Sequence, residues 1–137
     1  MRDRVFLDTN IFIYLYSETE TEKRDTAYRV FDTYHCITSL QVMNEASNVW
    51  LRKYGWSRAK ICRHLDNIEL LCDEILSIGR DTINTALALQ ELYGYSYYDC
   101  LMLAFALASD SSSILTEDMR DGQVINRSLK VINPFVV

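Results

Sequence analysis

Short apolar segments alternate with longer segments of helical periodicity along this chain. The short segments are apolar at successive positions, which is typical of strands that are buried on both faces of a parallel sheet. We predict five such strands, at Val5–Leu7, Cys36–Thr38, Ile75–Ile78, Ser113–Thr116 and Lys130–Ile132. The segment Asn10–Tyr16 is consistent with either a continued strand or a helix.

The longer segments carry apolar residues at spacings of three and four, which predicts helices. We expect them at Lys23–Tyr34, from Ser39 to about Tyr54, from Ser57 to about Cys72, at Asp81–Tyr93 and from Ser96 to about Ala108. Ser39 and Ser57 are suitable N-cap residues, and Gly55 suits a left-handed helix end. Strands that alternate with helices predict a three-layer α/β/α sandwich with a central five-stranded parallel sheet.

No linker-like or repetitive tract divides the 137 residues, which include one proline and four glycines. We therefore expect a single domain over residues 1–137. Asp8 interrupts the first apolar run, so no secretory signal is expected. The longest apolar run, Cys100–Ala108, is too short to span a bilayer and predicts a buried helix rather than a membrane anchor.

The four cysteines, Cys36, Cys62, Cys72 and Cys100, are widely spaced and match no zinc-binding pattern. Each has apolar neighbours in the sequence, so we expect reduced thiols that pack in the core. Reduced thiols in turn favour a cytoplasmic location.

The formal net charge of −5 argues against indiscriminate binding of nucleic acid through a large positive surface. It does not exclude an enzyme that acts on nucleic acid, because an acidic cation site adds negative charge. Basic residues are concentrated in one stretch, at Arg52, Lys53, Arg58, Lys60 and Arg63. This stretch predicts either contacts to the phosphates of RNA or a solvated helix face.

Four acidic residues fall where the carboxyl ends of the predicted strands should lie. Asp8 ends the first strand, Glu45 lies in the helix after the second strand, and Asp99 opens the helix before the fourth strand. Asp118, beside Glu117, follows the fourth strand. Because ligands of open parallel sheets bind outside this edge, the four carboxylates are candidates for one common site.

Each acid taken alone also has a structural explanation. Asp8 could cap the segment near Asn10, and Asp99 has the capping-box spacing from Ser96. Asp118 could belong to a polar loop, and Glu45 could be an edge residue whose carboxylate reaches solvent. Taken together, however, converging carboxylates repel one another and oppose folding. A hard divalent cation such as Mg²⁺ or Mn²⁺ removes that repulsion, which favours a metal site.

Around these four acids the chain resembles the PIN-domain family, and specifically the VapC-type ribonuclease toxins. The matching segments cover nearly the whole chain and read FLDTNIFIY, TSLQVMNEASNVW, YSYYDCLMLAFAL and ILTEDMRDG. The resemblance implies a PIN-like α/β/α fold and hydrolysis of RNA with Mg²⁺ or Mn²⁺ as cofactor. It also implies tRNA or rRNA as substrate, a small inhibitory antitoxin as partner, and a homodimer.

The resemblance assigns Asp8, Glu45, Asp99 and Asp118 to a catalytic quartet. Asp8 and Asp99 would bind the metal directly, and Glu45 and Asp118 would hold water molecules or a second ion. Three polar residues, Asn10, Ser39 and Thr116, match positions that line such sites. Glu117 and Asp121 remain alternatives to Asp118 as the fourth acid.

Two other functions are open at this point. A phosphate-accepting receiver domain also places acids at the edge of an α/β sheet, but it needs a lysine beyond a later strand, and Lys130 enters the last strand instead. A PIN scaffold that only binds RNA or a partner is the other possibility. Neither His35 nor His64 has an evident partner in the sequence for a metal-free mechanism that uses a pair of histidines. We therefore expect both histidines to be structural.

Overall fold

A six-stranded sheet forms the centre of the computed structural model, which describes residues 1–136. The strands are β1 (Arg4–Leu7), β2 (His35–Ser39), β3 (Glu74–Leu76), β4 (Ser113–Leu115), β5 (Val124–Ile125) and β6 (Leu129–Ile132). The helices are α1 (Thr9–Leu15), α2 (Thr21–Thr33), α3 (Leu40–Arg52), α4 (Arg58–Leu71), α5 (Arg80–Tyr93) and α6 (Tyr97–Ala108). The strand order is β3-β2-β1-β4-β6-β5, and every neighbouring pair is parallel except β5 and β6.

The predicted α/β sandwich with five parallel strands is confirmed, and the predicted strand ends agree with the observed ends to within two residues. The sheet also contains β5, a two-residue antiparallel strand that the sequence did not reveal. The chain reverses from β5 to β6 through Asn126 and Arg127, which both have positive φ. A two-residue strand is too short to display a periodicity, so no pattern could have predicted it.

Two other local features became clear only from the structure: the conformation of the segment after Asp8 and the exposure of Cys62. The segment after Asp8 is helical rather than extended, because Asp8 accepts a hydrogen bond from the Thr9 N–H and so caps α1. The expectation that all four cysteines are buried is wrong for Cys62, which is exposed. It follows Ile61, and the next residue of a helix points about 100° away from the buried side.

The core is built around β1 and α6. Val5, Phe6 and Leu7 have no solvent exposure, and the Phe6 ring stacks on Phe105 of α6 at a centroid distance of 5.8 Å. Residues 100–106 of α6 are all buried. Because it is buried, α6 gives the side chains at its first turn a rigid support.

No helix within residues 1–136 is long and apolar enough to cross a membrane.

The sheet reverses its order at β1, which lies between β2 and β4. Phe6 is paired with Ile37 on one side and with Ile114 on the other. Such a reversal opens a crevice outside the carboxyl ends of the strands. The Asp8 N–H donates a 3.1 Å hydrogen bond to the carbonyl of Leu115, so the ends of β1 and β4 are held side by side there.

Candidate metal centre

A cleft of about 320 Å³ opens at this reversal point. It is lined by Asp8, Thr9, Glu45, Asn48, Val49, Tyr98, Asp99, Met102 and Asp118. The cleft thus contains all four acids that were predicted from the sequence to share one site. Among the residues described, no lysine, arginine or histidine lines it, so the negative charge is not neutralised from within the cleft.

Asp8 is the most buried of the acids, with 4% exposure. Its Oδ1 accepts from the Thr9 N–H at 2.7 Å, and its Oδ2 accepts from the Thr116 hydroxyl at 2.7 Å. Asp8 is therefore a helix cap, as its structural explanation predicts. Each carboxylate oxygen can accept a second interaction, so capping leaves capacity for a cation.

Asp99 and Asp118 approach Asp8 from two other elements. One carboxylate oxygen from each of the three residues lies within 4.8 Å of the other two. Asp99 is in the first turn of α6, where the Ser96 hydroxyl accepts its backbone N–H at 3.2 Å. Asp118 follows β4 and is exposed. The three nearest carboxylates therefore come from the end of β1, from α6 and from the loop after β4.

Glu45 lines the same cleft but is not part of this three-carboxylate group. It lies in the second turn of α3, whose N-cap is Ser39. The Thr9 hydroxyl donates to Oε2 of Glu45 at 3.1 Å. Thr9 therefore links Glu45 to Asp8, because its hydroxyl donates to Glu45 and its backbone N–H donates to Asp8. Thr9 is not among the site residues predicted from the sequence.

The loop after β4 contains three acids, and only Asp118 turns into the cleft. Its backbone N–H donates to the Thr116 hydroxyl at 3.2 Å, and Asn10 Nδ2 donates to its Oδ2 at 3.2 Å. Glu117 instead accepts from the Tyr14 hydroxyl at 2.6 Å and from Lys23 Nζ at 2.7 Å.

Asp121, the third acid of this loop, accepts the backbone N–H of Asn133 at 2.8 Å through its Oδ1. Both alternatives to Asp118 therefore have structural partners away from the cleft.

The supporting polar residues act on the acids rather than line the cleft. Thr116 binds Asp8, and Asn10 binds Asp118. Ser39 is fully buried, and its hydroxyl accepts the Val42 N–H at 3.1 Å. Ser39 thus caps the helix that carries Glu45, and the structure gives it no place among the cleft-lining residues.

Burial governs the electrostatics of the acids. It raises the pKa of Asp8 to about 7, although hydrogen bonds from Thr116 and Thr9 act in the opposite direction. Burial, and to a smaller extent the charge of neighbouring carboxylates, also raise the pKa values of Glu45 and Asp99. Burial acts on Glu117 too, but hydrogen bonds from Lys23 and Tyr14 leave the pKa of Glu117 below its usual value.

These features fit a hard divalent cation. Mg²⁺ and Mn²⁺ prefer oxygen ligands, and the three converging carboxylates supply them. Within residues 1–136 no basic side chain lines the cleft to compete with a cation. The raised pKa values reflect mainly the burial of these carboxylates and, to a smaller extent, their mutual repulsion. A bound cation removes that repulsion, so the residues present fit the cofactor that the family resemblance implies.

The five basic residues that were predicted to contact RNA have different surroundings in the structure. Arg52 and Lys53 line a second groove with Asn48 and Val49, and these last two residues also line the acidic cleft. Lys60 pairs with Glu18 at 3.2 Å and lies 4.1 Å above the Trp56 ring. Arg58 and Arg63 are exposed on α4 and line neither groove.

Both histidines lie outside the cleft. His35 Nε2 is 2.8 Å from Glu74 Oε2 on the neighbouring strand β3, and the His64 ring packs on Trp56 at 4.8 Å. Neither histidine lines the acidic cleft.

Sequence reasoning missed four further residues of the cleft wall besides Thr9. These are Asn48, Val49, Tyr98 and Met102. Helical spacing could have found them, because Asn48 and Val49 follow Glu45 by three and four positions. Met102 likewise follows Asp99 by three positions and Tyr98 by four, which places Met102 beside both residues on α6.

Solved structures of similar fold match over most of the chain. A toxin–antitoxin complex from Klebsiella pneumoniae has 23% identity and a TM-score of 0.69, over 97% of this chain and 99% of that chain. VapC20 of Mycobacterium tuberculosis, a sarcin–ricin loop cleaving toxin, has 19% identity and a TM-score of 0.65, over 83% and 91%. FitAcB of Neisseria gonorrhoeae has 16% identity and a TM-score of 0.66, over 97% and 99%. At these identities the likeness shows the fold alone.

Among proteins of curated function, none matches this chain significantly in sequence. The family assignment comes from a different comparison, in which the PIN domain model matches residues 5–123. This match includes all four acids of the cleft and most of the chain. The chain therefore belongs to the PIN domain family.

Proposed function

We propose that the chain is a divalent-cation-dependent endoribonuclease, the toxin of a VapBC-like toxin–antitoxin pair. The observation that carries the proposal is the convergence of Asp8, Asp99 and Asp118, with carboxylate oxygens within 4.8 Å of one another. Membership of the PIN family and the toxin–antitoxin proteins among its structural neighbours support the same function.

In this proposal Asp8 and Asp99 hold Mg²⁺ or Mn²⁺, and Asp118 contributes at the exposed side of the cleft. When bound, the cation neutralises charge on the phosphate and makes a water molecule a stronger nucleophile. Asn10 orients Asp118 by donating to its Oδ2, and Thr116 orients Asp8. These hydrogen bonds keep the carboxylates in place before the substrate arrives.

Glu45 is proposed to accept the proton of the attacking water. Thr9 donates to its Oε2 at 3.1 Å, and Oε1 would act as the base. Burial raises the pKa of Glu45 toward the operating range of a general base. Since water rather than the ribose 2′-hydroxyl is the proposed nucleophile, the products should carry a 5′-phosphate and a 3′-hydroxyl.

The partners are part of the proposal. A small antitoxin is expected to inhibit the chain by placing an arginine or another polar group against the acids. A homodimer is expected for the chain alone. Size measurement of the purified chain, and then of the chain co-expressed with the product of the adjacent gene, tests both expectations.

The experiment that tests the activity is cleavage of tRNA and rRNA with and without Mn²⁺. Cleavage should require the cation and should fall at least about a hundredfold in Asp8→Asn, as expected when a ligand of a catalytic metal is lost. A receiver domain would instead form an acyl-phosphate on Asp8 when incubated with a small phosphodonor. A PIN scaffold without activity would bind RNA and leave it intact.

A further inference from the structure

One aromatic side chain lies in the wall of the acidic cleft. Tyr98 lines the cleft directly beside Asp99, and it is 58% exposed. Its hydroxyl makes no hydrogen bond within residues 1–136, whereas those of Tyr14, Tyr93 and Tyr95 each bind a polar group. The fold therefore does not use the outer part of this ring.

The backbone holds Tyr98 in a fixed position. It is the second residue of α6, and Ser96 caps the helix. Its ring packs on Tyr97 at 5.6 Å with an interplanar angle of 72°. Because α6 is buried along most of its length, the ring stands on a rigid element next to the carboxylates.

Apolar neighbours extend the surface that Tyr98 begins. Met102, one turn later on α6, and Val49 of α3 also line the cleft. The cleft therefore has an acidic part, suited to a cation and a phosphate, and an apolar part with an exposed aromatic ring. A nucleotide has the same two parts, because its charged phosphate is joined to a flat base.

The adjoining groove favours nucleic acid over an apolar peptide as the occupant of the cleft. Val49 and Asn48 are shared with the groove that contains Arg52 and Lys53. A strand with a phosphate at the carboxylates can thus continue along α3 toward two cationic side chains. That charge complementarity suits the phosphates of a polynucleotide.

We propose that Tyr98 is a stacking platform for the base of the nucleotide whose 5′-phosphate is the scissile phosphate. Stacking on an aromatic ring favours single-stranded or unpaired RNA and tolerates any base, since every base has a flat face. The proposal rests on the proposed nuclease function. It adds a contact to the base of the bound nucleotide and assigns that contact to Tyr98.

The test uses two ligands that contain the product phosphate but cannot be cleaved further. Adenosine 5′-monophosphate has a base and ribose 5-phosphate lacks one, and the affinity of each is measured by NMR titration with Mg²⁺. The wild-type chain should bind the nucleotide about tenfold more tightly, the size expected for one stacked base. Tyr98→Phe should keep this preference, and Tyr98→Ala should lose it. Tyr28→Ala, which removes a similarly exposed tyrosine outside the cleft, serves as the control.

Each outcome decides the proposal. Equal affinities in the wild type, no binding of either ligand, or a preference that survives in Tyr98→Ala would overturn it. A change of oligomeric state in Tyr98→Ala, with the preference intact, would overturn it in favour of a protein contact. RNA cleavage by the same preparations reports on the nuclease function separately. The base preference can therefore fail while cleavage stands, or stand while cleavage fails.

Discussion

The Thr116 hydroxyl donates a 2.7 Å hydrogen bond to Oδ2 of Asp8, and both groups are buried. This contact joins the residues that follow β4 and β1, the two strands at the reversal point of the sheet. The same hydroxyl accepts the backbone N–H of Asp118. One threonine thus links two of the three converging carboxylates.

The buried charge of Asp8 should make the metal-free chain less stable as the pH rises. The pKa of Asp8 is about 7 in the folded chain against an ordinary value of 3.8, so folding favours the protonated form. The contribution of the protonated Asp8 carboxyl to the stability of the fold is complete below about pH 4 and is lost as the pH rises through about 7. Asp8→Asn should therefore be more stable than wild type at about pH 8, by at most about 4 kcal/mol.

Thermal or urea unfolding in the presence of a chelator measures this difference at several pH values. The gap between the two proteins should close toward about pH 4. If the difference in stability between wild type and Asp8→Asn does not change across this pH range, the raised pKa of Asp8 is refuted.

Asp118 and Glu117 should respond differently to loss of charge, although they are adjacent. Asp118→Asn removes a carboxylate from the cleft and should lower RNA cleavage at least about tenfold with little change in stability. Glu117→Gln should leave cleavage within about twofold, because Glu117 binds Lys23 and Tyr14 instead. It should cost up to about 1 kcal/mol of stability, as expected for a partly exposed ion pair.

Cleavage rates and unfolding midpoints of the two variants provide the measurement. If Glu117→Gln is the more damaging change for cleavage while its fold is intact, the choice of Asp118 as the fourth acid is wrong.

The contact between Thr9 and Glu45 should set the acidic limb of the pH–rate profile. The Thr9 hydrogen bond lowers the pKa of Glu45. Thr9→Val should therefore raise that pKa, and the activity of a base that must be ionised should then need a higher pH. Thr9→Ser keeps the hydroxyl and should restore the wild-type limb. An identical acidic limb in Thr9→Val and wild type would remove Glu45 from the role of base.

Arg52 and Lys53 should contribute to RNA binding in a salt-dependent manner. Each phosphate contact to a single strand changes the slope of log affinity against log salt by about 0.7, so replacing both residues by alanine should lower that slope by about 1.4. The matched pair Arg58→Ala and Arg63→Ala, which lies outside both grooves, should change the slope less. Equal slopes for the two double variants would show that the groove with Arg52 and Lys53 does not bind the phosphates of RNA.

The sequence was sufficient for the five parallel strands and for placing the acids at one edge of the sheet. Buried parallel strands are apolar on both faces, so β1 and β4 are visible in the pattern of apolar residues. The ends of parallel strands meet at one edge, so Asp8 and Asp118 could be expected together from the order of the segments alone. The caps at Ser39 and Ser57 followed from local chemistry and are confirmed.

Features that depend on loop conformation could not be predicted from the sequence. From the sequence, only the family resemblance favours Asp118 over Glu117 and Asp121, whereas in the structure contacts with residues distant in the chain separate the three acids. Lys23 draws Glu117 away, and Asn133 donates to Asp121. The role proposed for Tyr98 could not be predicted for a similar reason, since an exposed aromatic residue becomes informative only when the cleft beside it is known.

The most direct test of the account is binding of Mn²⁺ followed by electron paramagnetic resonance. The purified wild-type chain should bind Mn²⁺ at a saturable site, with affinity that increases from about pH 6 to about pH 8 as Asp8 gives up its proton. Asp8→Asn and Asp99→Asn should each weaken that site at least about tenfold, while Glu117→Gln should bind as wild type does. Saturable binding that is the same in wild type, Asp8→Asn and Asp99→Asn, or no binding in the wild type, would contradict the claim that these carboxylates form a metal centre.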